Sequence, residues 1–362
     1  MIRYAIVGSG MMGLEHIANI VNIPNATVSA LVDTHKPSID LARSVLGDQG
    51  DCVVLDDYRE LVTGDLCDCV VIATPNMTHC EILGGLLESG LHILTEKPLC
   101  TTVDDCRSVI NKYQANLERY PNRVVWVAME YRYMPPIARL LAEVAQGRVG
   151  NLKMLAIREH RYPFLSKVND WNRFNRNSGG TLVEKCCHFF DLMRLICASE
   201  PTKIMASGGQ DVNHLDEIYN GETPDILDNA YVVVEFESGA RALLDLCMFA
   251  EATYNQEEIV ATGDKGKVEA LIPENVIRIG VRGEHFVGNV SVEEVSNSRV
   301  AYEGFHHGSS YLQHRDFLSA IETGTAPVVS LQDGMAAVVM GIGAQMSIEL
   351  GRPVSYQEVL NL

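Results

Sequence analysis

Residues 179–191, "GGTLVEKCCHFFD", place Glu184, Lys185, Cys186, Cys187, His188 and Asp191 within one short run behind a glycine pair. Such a run could bind a metal, present a reactive thiol or move a proton. Taken with the residues that follow, "TLVEKCCHFFDLMRLI" is expected to form one helix, in which Glu184, His188 and Asp191 recur at i, i+4 and i+7 and share a face. On that helix Cys186 points away from His188, and Cys187 sits at an awkward angle for joint ligation with its immediate neighbour. Zinc asks for three or four convergent ligands, commonly paired as C-x2-C or H-x3-H, and this run offers neither. Cys67 and Cys69 are spaced C-x-C inside an apolar strand, where successive side chains face opposite ways. No metal is therefore expected, and the adjacent cysteines read as small buried hydrophobes. The carboxylate and imidazole stripe is left. On a bare helix the favoured reading is a surface patch or a buried hydrogen-bonded trio, but a histidine titrating near neutrality can also take a hydroxyl proton as hydride departs.

What could take the hydride is suggested by the elements upstream. "GSGMMG" sets Gly8, Gly10 and Gly13 in the G-x-G-x-x-G pattern, directly after the apolar strand "YAIVG" and at the head of a helical stretch, with Asp33 ending the next strand. In that context Gly8 permits a tight turn and Gly10 lets backbone approach a pyrophosphate. Gly13 allows helix and strand to pack closely, while Met11 and Met12 open the helix whose N–H groups face phosphate. Asp33 can accept hydrogen bonds from a ribose and repels a 2'-phosphate, which favours NAD over NADP, although Lys36 lies close by. Two further stretches fall at C-terminal strand ends, where ligands of a parallel sheet gather: "ATPNMTH", with Thr74, Pro75, Asn76 and His79, and "TEKP", with Glu96 and Lys97.

Up to about residue 122, Val- and Ile-rich runs at 4–8, 27–33, 67–74 and 91–97 alternate with helical stretches at 13–22, 37–46, 79–89 and 103–119. Near-continuous apolar strands need cover on both faces, so residues 1–122 are expected to form a doubly wound parallel sheet. Beyond "VVWVAMEYRY", runs such as "LKMLAIREHRY" and "EEIVATGDKGKVEALI" alternate apolar and polar residues between turn signals. Residues 123–362 are therefore expected to form a second α/β domain with a mixed sheet and a late helix around 333–349.

The 362-residue chain carries 47 acidic and 29 basic residues, a net charge of -18, which disfavours nucleic acid or an anionic membrane as partner. "MAAVVMGIGA" is too short and glycine-broken for the roughly 20 apolar residues that span a bilayer. "MIRYAIVGSG" reads as structure rather than an export signal, and ten cysteines then read as reduced thiols of a cytoplasmic protein.

Along nearly its whole length the chain resembles the glucose-fructose oxidoreductase / inositol dehydrogenase (Gfo/Idh/MocA) family. The resemblance rests on "GSGMMG", "ATPNMTH", "TEKP", "EYRYMPP", "DWNRFNRNSGGTLVEKCCHFFD" and "LQDGMAAVVMGIGAQMS". It implies a Rossmann domain followed by an α/β domain whose large, mostly antiparallel open sheet mediates homo-dimers or homo-tetramers. It also implies NAD-dependent oxidation of a secondary hydroxyl on a cyclic polyol or sugar: an inositol, an aldose or a glycoside. Lys97 matches the lysine placed between nicotinamide and substrate, His188 the proton acceptor, and Asp191 an acid outside the reacting shell. Glu184 departs from the family's usual aspartate and is expected to orient His188 or bind a neighbouring hydroxyl. Glu130 also departs from pattern, beside Tyr131 and Arg132. Arg158, His160, Tyr162, Trp171 and Arg173 are further candidates for a sugar cleft, with a buried aromatic core as the competing reading of the rings. A retained-cofactor cycle without net redox and a non-catalytic nucleotide sensor are the alternatives.

Overall fold

Strands that are apolar on both faces need layers on both sides, and the N-terminal third supplies them. The computed structural model describes residues 1–47 and 52–362. Its first sheet comprises β1 (Ile2–Val7), β2 (Ala26–Val32), β3 (Val53–Leu55), β4 (Cys69–Ile72), β5 (His92–Thr95) and β6 (Val125–Val127). All neighbours run parallel in the order β3-β2-β1-β4-β5-β6. Chain direction across the sheet reverses between β1 and β4, which opens a crevice at the C-terminal strand ends. The chain leaves β1 through Gly8 at φ +92, where a Cβ would lie 2.7 Å from the Ala73 carbonyl. Helix Met11–Ile20 follows, and a Cβ on its Gly13 would collide with the Gly8 carbonyl oxygen. Close approach of turn, helix and the strand beyond thus depends on these two glycines.

The expected strands and helices of this part occur with ends shifted by a few residues; the helix expected at 37–46 spans Lys36–Leu46, for example. β3 and β6 were not among the expected strands. Each has three residues, too few to display a periodic pattern, and Val53 on the β3 edge is 41 % exposed.

The second sheet has nine strands in the order β14-β13-β12-β11-β7-β10-β9-β8-β15. They are β7 (Leu152–His160), β8 (Pro201–Gly209), β9 (Asn229–Phe236), β10 (Arg241–Cys247), β11 (Glu257–Gly263), β12 (Gly266–Ile272), β13 (Val276–Val281), β14 (Ser291–Glu294) and β15 (Val354–Ser355). Only the β7–β10 pair is parallel. Alternation decides the faces: Leu155, Ile157 and Glu159 of β7 are buried towards the helices, whereas Met154 and Arg158 are exposed on the other side.

Helix Leu331–Leu350 locks the layers together, starting at a capping box formed by Ser330 and Asp333. It packs on β6, on helix Val103–Ala115, on β8 and on the helical segments Thr181–Glu184 and Cys187–Cys197. Gly341 is the closest approach, since a Cβ there would sit 2.5 Å from the Leu182 carbonyl oxygen. Gly341→Ala gains up to about 1 kcal/mol of helix propensity but forces backbone apart at a typical overpacking cost of about 1–3 kcal/mol. A lower urea midpoint is expected; an equal or higher one would show that the segment carrying Glu184 is not held by this contact.

Candidate active site

The crevice above the strand ends has a volume of about 1060 Å³, and Gly8, Gly10, Met11, Met12, Asp33, Thr74, Pro75, Asn76, Glu96 and Lys97 line it. Asp33 is held by both oxygens: Oδ2 accepts from the Ser9 N–H at 2.6 Å and Oδ1 from the His35 N–H at 2.7 Å. Asn76 donates from Nδ2 to the Ser178 carbonyl at 2.9 Å, tying the loop after β4 to the second sheet's helices. Two residues expected to touch cofactor lie outside the crevice. Gly13 packs under the turn, and the fully buried His79 sits with Nδ1 2.8 Å from the Pro98 carbonyl and Nε2 3.0 Å from that of Thr74. His79 therefore braces both strand-end loops from behind.

At the deep end, β5 leads into Glu96 and Lys97, and the Lys97–Pro98 peptide is cis. Glu96 Oε1 lies 2.9 Å from His16 Nε2, and Oε2 accepts the Lys97 N–H at 3.2 Å. Lys97 Nζ donates to the Glu184 carbonyl at 3.0 Å. Burial opposes the lysine charge, but nearby Cys187, Glu96, Glu130 and Glu184 outweigh it and raise its pKa. Lys97 is thus an ammonium at neutral pH.

The single helix expected through 181–196 is interrupted. Thr181–Glu184 forms one turn, and a second helix runs Cys187–Cys197. Between them the Cys186 N–H reaches back to the Thr181 carbonyl at 3.3 Å, one residue further than an α-helix allows. Glu184 and His188 consequently share no continuous helical face, and no hydrogen bond joins them. The Glu184 carboxylate enters the crevice, where Oε1 is 3.8 Å from Lys167 Nζ and Oε2 is buried without a partner; burial raises its pKa. Lys167 lies 5.0 Å from the ring centre of Trp171, which also lines the crevice. Lys167 went unrecognised in the sequence because it sits in a loop without periodicity or motif.

His188 is 2 % exposed and stacks on Tyr131, with ring centroids 4.1 Å apart and planes 8° from parallel. Its Nε2 is 3.5 Å from Glu130 Oε1, and its Nδ1 has no protein partner. Burial, followed by the Lys97 and Lys185 charges, pushes its pKa well below 6.5, so the ring is a neutral base at neutral pH. Behind the stack, Lys185 Nζ donates to the Tyr131 hydroxyl at 2.6 Å and pairs with Glu159 at 2.9 Å, while that hydroxyl donates to Glu257 at 3.2 Å. Glu159 and Glu257 face one another across β7 and β11. This network was also missed, though its signal exists: Glu159 continues the inward register of Leu155 and Ile157, where an acid has no business without a partner.

Other expected cleft residues lie elsewhere. Arg132 forms a two-pronged pair with Asp191 at 2.6 and 2.5 Å and donates to the Val328 carbonyl, outside the crevice. Asp191 is accordingly bound to a guanidinium and not to the site. Arg158 and His160 occupy the face of β7 opposite Glu159, both pairing with Asp245. Tyr162 is 42 % exposed with its ring against Arg161, and Arg173 donates to Glu217 at 2.8 Å. Side-chain direction in a strand is set by parity, and the motif "IREHRYPF" does not display which parity faces the site. Cys186 and Cys187 are fully buried free thiols, and among the described residues no cluster suited to a metal ion occurs.

Comparison with known proteins places this geometry among oxidoreductases. Residues 2–121 match the family model described as "Oxidoreductase family, NAD-binding Rossmann fold", and residues 142–356 match "Oxidoreductase family, C-terminal alpha/beta domain". The chain is 27 % identical over 364 residues to the myo-inositol 2-dehydrogenase of Thermotoga maritima, covering 99 % of each. It is 24 % identical over 302 residues to the 2,7-anhydro-N-acetylneuraminate hydratase of Escherichia coli, covering 83 % of this chain and 76 % of that one. A levoglucosan dehydrogenase solved with NADH and levoglucosan shares the fold at TM-score 0.84 and 18 % identity, covering 98 % of both chains. Asp33→Ala is expected to move the NADP/NAD ratio of kcat/KM towards NADP by about tenfold, the equivalent of one lost charge-assisted hydrogen bond of roughly 1.5 kcal/mol. An unchanged ratio would show that another residue reads the ribose.

Proposed function

The chain belongs to the Gfo/Idh/MocA family of NAD-binding oxidoreductases, and on that footing we propose that it oxidises a secondary hydroxyl of a cyclic polyol or sugar, with an inositol, aldose or glycoside as substrate. The observation that carries this reading is the pairing of an ammonium, Lys97, on the lining of a crevice built for a dinucleotide, with a buried neutral imidazole, His188, close enough to feel its charge.

The residues present fit NAD: the turn at Gly8 admits no Cβ, helix Met11–Ile20 offers its N-terminal N–H groups, and Asp33 stands ready for a ribose. When bound, the nicotinamide supplies the hydride acceptor. Lys97 donates a hydrogen bond to the reacting oxygen and offsets negative charge as it develops there. His188 takes the hydroxyl proton, held in plane by its stack on Tyr131. Glu184 and Lys167 offer an acceptor and a donor to neighbouring hydroxyls, and Trp171 offers an apolar ring face of the kind sugars pack against.

The similarity to a hydratase favours a second reading, in which NAD stays bound and one ring position is oxidised only transiently. In either reading the open face of the nine-stranded sheet, with Met154, Met205 and Tyr231 exposed, would pair subunits.

Absorbance at 340 nm with NAD across a panel of inositols, aldoses and simple glycosides tests the proposal. Growth of NADH with one ring polyol is expected. Silence across the panel, together with no nucleotide bound before or after addition of NAD, would overturn it.

A further inference from the structure

A buried carboxylate that bonds to nothing needs a reason. Glu130 is 2 % exposed, and both of its carboxyl oxygens lack a hydrogen-bond partner. It follows β6 and ends between two imidazoles: Oε1 is 3.5 Å from His188 Nε2 and 3.8 Å from His306 Nε2. The His306 side chain is 21 % exposed, against 2 % for His188, so this line of groups leads from the sealed site towards solvent. His306 Nδ1 lies 3.8 Å from Glu15 Oε1, and the neighbouring Phe305 N–H donates to the same oxygen at 3.1 Å, fixing the turn to helix Met11–Ile20.

We propose that Glu130 and His306 form a proton exit path that carries the proton taken by His188 out to water. The inference rests on the dehydrogenase reading and deepens it. In the starting tautomer the sealed Nδ1 of His188 carries the proton, and the free Nε2, which also faces Glu130, takes the substrate proton. As the hydroxyl O–H breaks, Nε2–H forms; that bond then breaks as the proton passes to the Glu130 carboxylate, which returns His188 to its starting tautomer. Glu130 then hands the proton to His306 Nε2, the one nitrogen of that ring that is not sealed, and the same nitrogen releases it to water. The electron pair of the C–H bond leaves with the hydride, so the path moves protons alone. At 3.5–3.8 Å each transfer requires a slight side-chain approach or one bridging water.

The surrounding charges give the path its direction. His188 faces Lys97, Lys185 and Arg161 in a buried setting and is a weak base. Glu130 faces His306, Glu96 and Lys97, and burial raises its pKa, which suits a group that must hold a proton briefly. At His306 burial and Lys185 oppose protonation, but Glu15 and Glu130 outweigh them and raise its pKa. Proton affinity therefore rises from His188 to His306.

Stopped-flow mixing tests the path, following NADH at 340 nm and proton release with phenol red in weak buffer, with the ring polyol that supports turnover. In the wild type both signals should rise together. In Glu130→Gln and in His306→Gln, proton release should lag on the order of tenfold, a smaller loss than the hundredfold or more expected for the group that touches the reacting atoms. Added imidazole should restore it, and NAD affinity should stay unchanged. Release in step with NADH in both variants would remove the path while leaving the dehydrogenase reading intact. A wild type that forms no NADH would remove that reading and the path with it. Histidine NMR provides a readout free of turnover: Glu130→Gln should lower the His306 pKa, and an unmoved titration would contradict the coupling.

Discussion

One contact spans the two halves of the molecule at its chemical centre: the Lys97 ammonium, from the end of β5, donates to the Glu184 carbonyl on the far wall of the crevice. A partly buried ammonium is costly unless hydrogen-bonded and surrounded by compensating charge, and each nearby element contributes to that condition. Glu96 fixes the Lys97 backbone and is itself fixed by His16, whose other nitrogen lies 2.8 Å from His314. The break after Glu184 turns a carbonyl towards Nζ that a continuous helix would have spent on its own ladder. Helix Leu331–Leu350 closes on that segment through Gly341. A glycine far along the chain thereby determines where a lysine on the first sheet can point.

The same constraint explains why the interior is so richly charged. Lys185 is 5 % exposed and Lys97 partly buried, and Glu130, Glu159, Glu184 and Glu257 are all buried around them. Removing one member leaves its partner's charge uncompensated in a low-dielectric setting, which costs more than the pair itself contributes. His188 feels the positive members and is held neutral, while Lys97 feels the negative ones and is held charged. One cluster thus keeps an acid and a base in their useful protonation states a short distance apart, with Tyr131 stacked between the base and the supporting network.

Much of the fold was legible because its signals are local. A strand entering G-x-G-x-x-G and ending its successor on Asp33 specifies backbone conformations that neighbouring residues enforce, and the crevice forms at that turn. Long alternating runs revealed β7, β11 and β12, whereas β3 and β6 are too short to carry a period. The site was less legible where tertiary contacts decide it. His188 and Lys97 stand out by motif, but the carboxylate nearest His188 is Glu130, 58 positions upstream, and no spacing rule links them. Glu184 was paired with His188 by an i, i+4 argument that fails because the helix breaks between them. Arg132 and His160 carry suitable chemistry but satisfy Asp191 and Asp245 instead.

The account stands on Lys97 acting at the reacting oxygen and not merely as a brace between the halves. Lys97→Met, nearly matched in length, separates the two when NAD affinity, thermal midpoint and kcat are measured on the same preparation. The account expects NAD affinity to persist and kcat to fall at least about a hundredfold, the lower range for a positioned acid-base group. Undiminished turnover in a folded, NAD-binding Lys97→Met protein would contradict it.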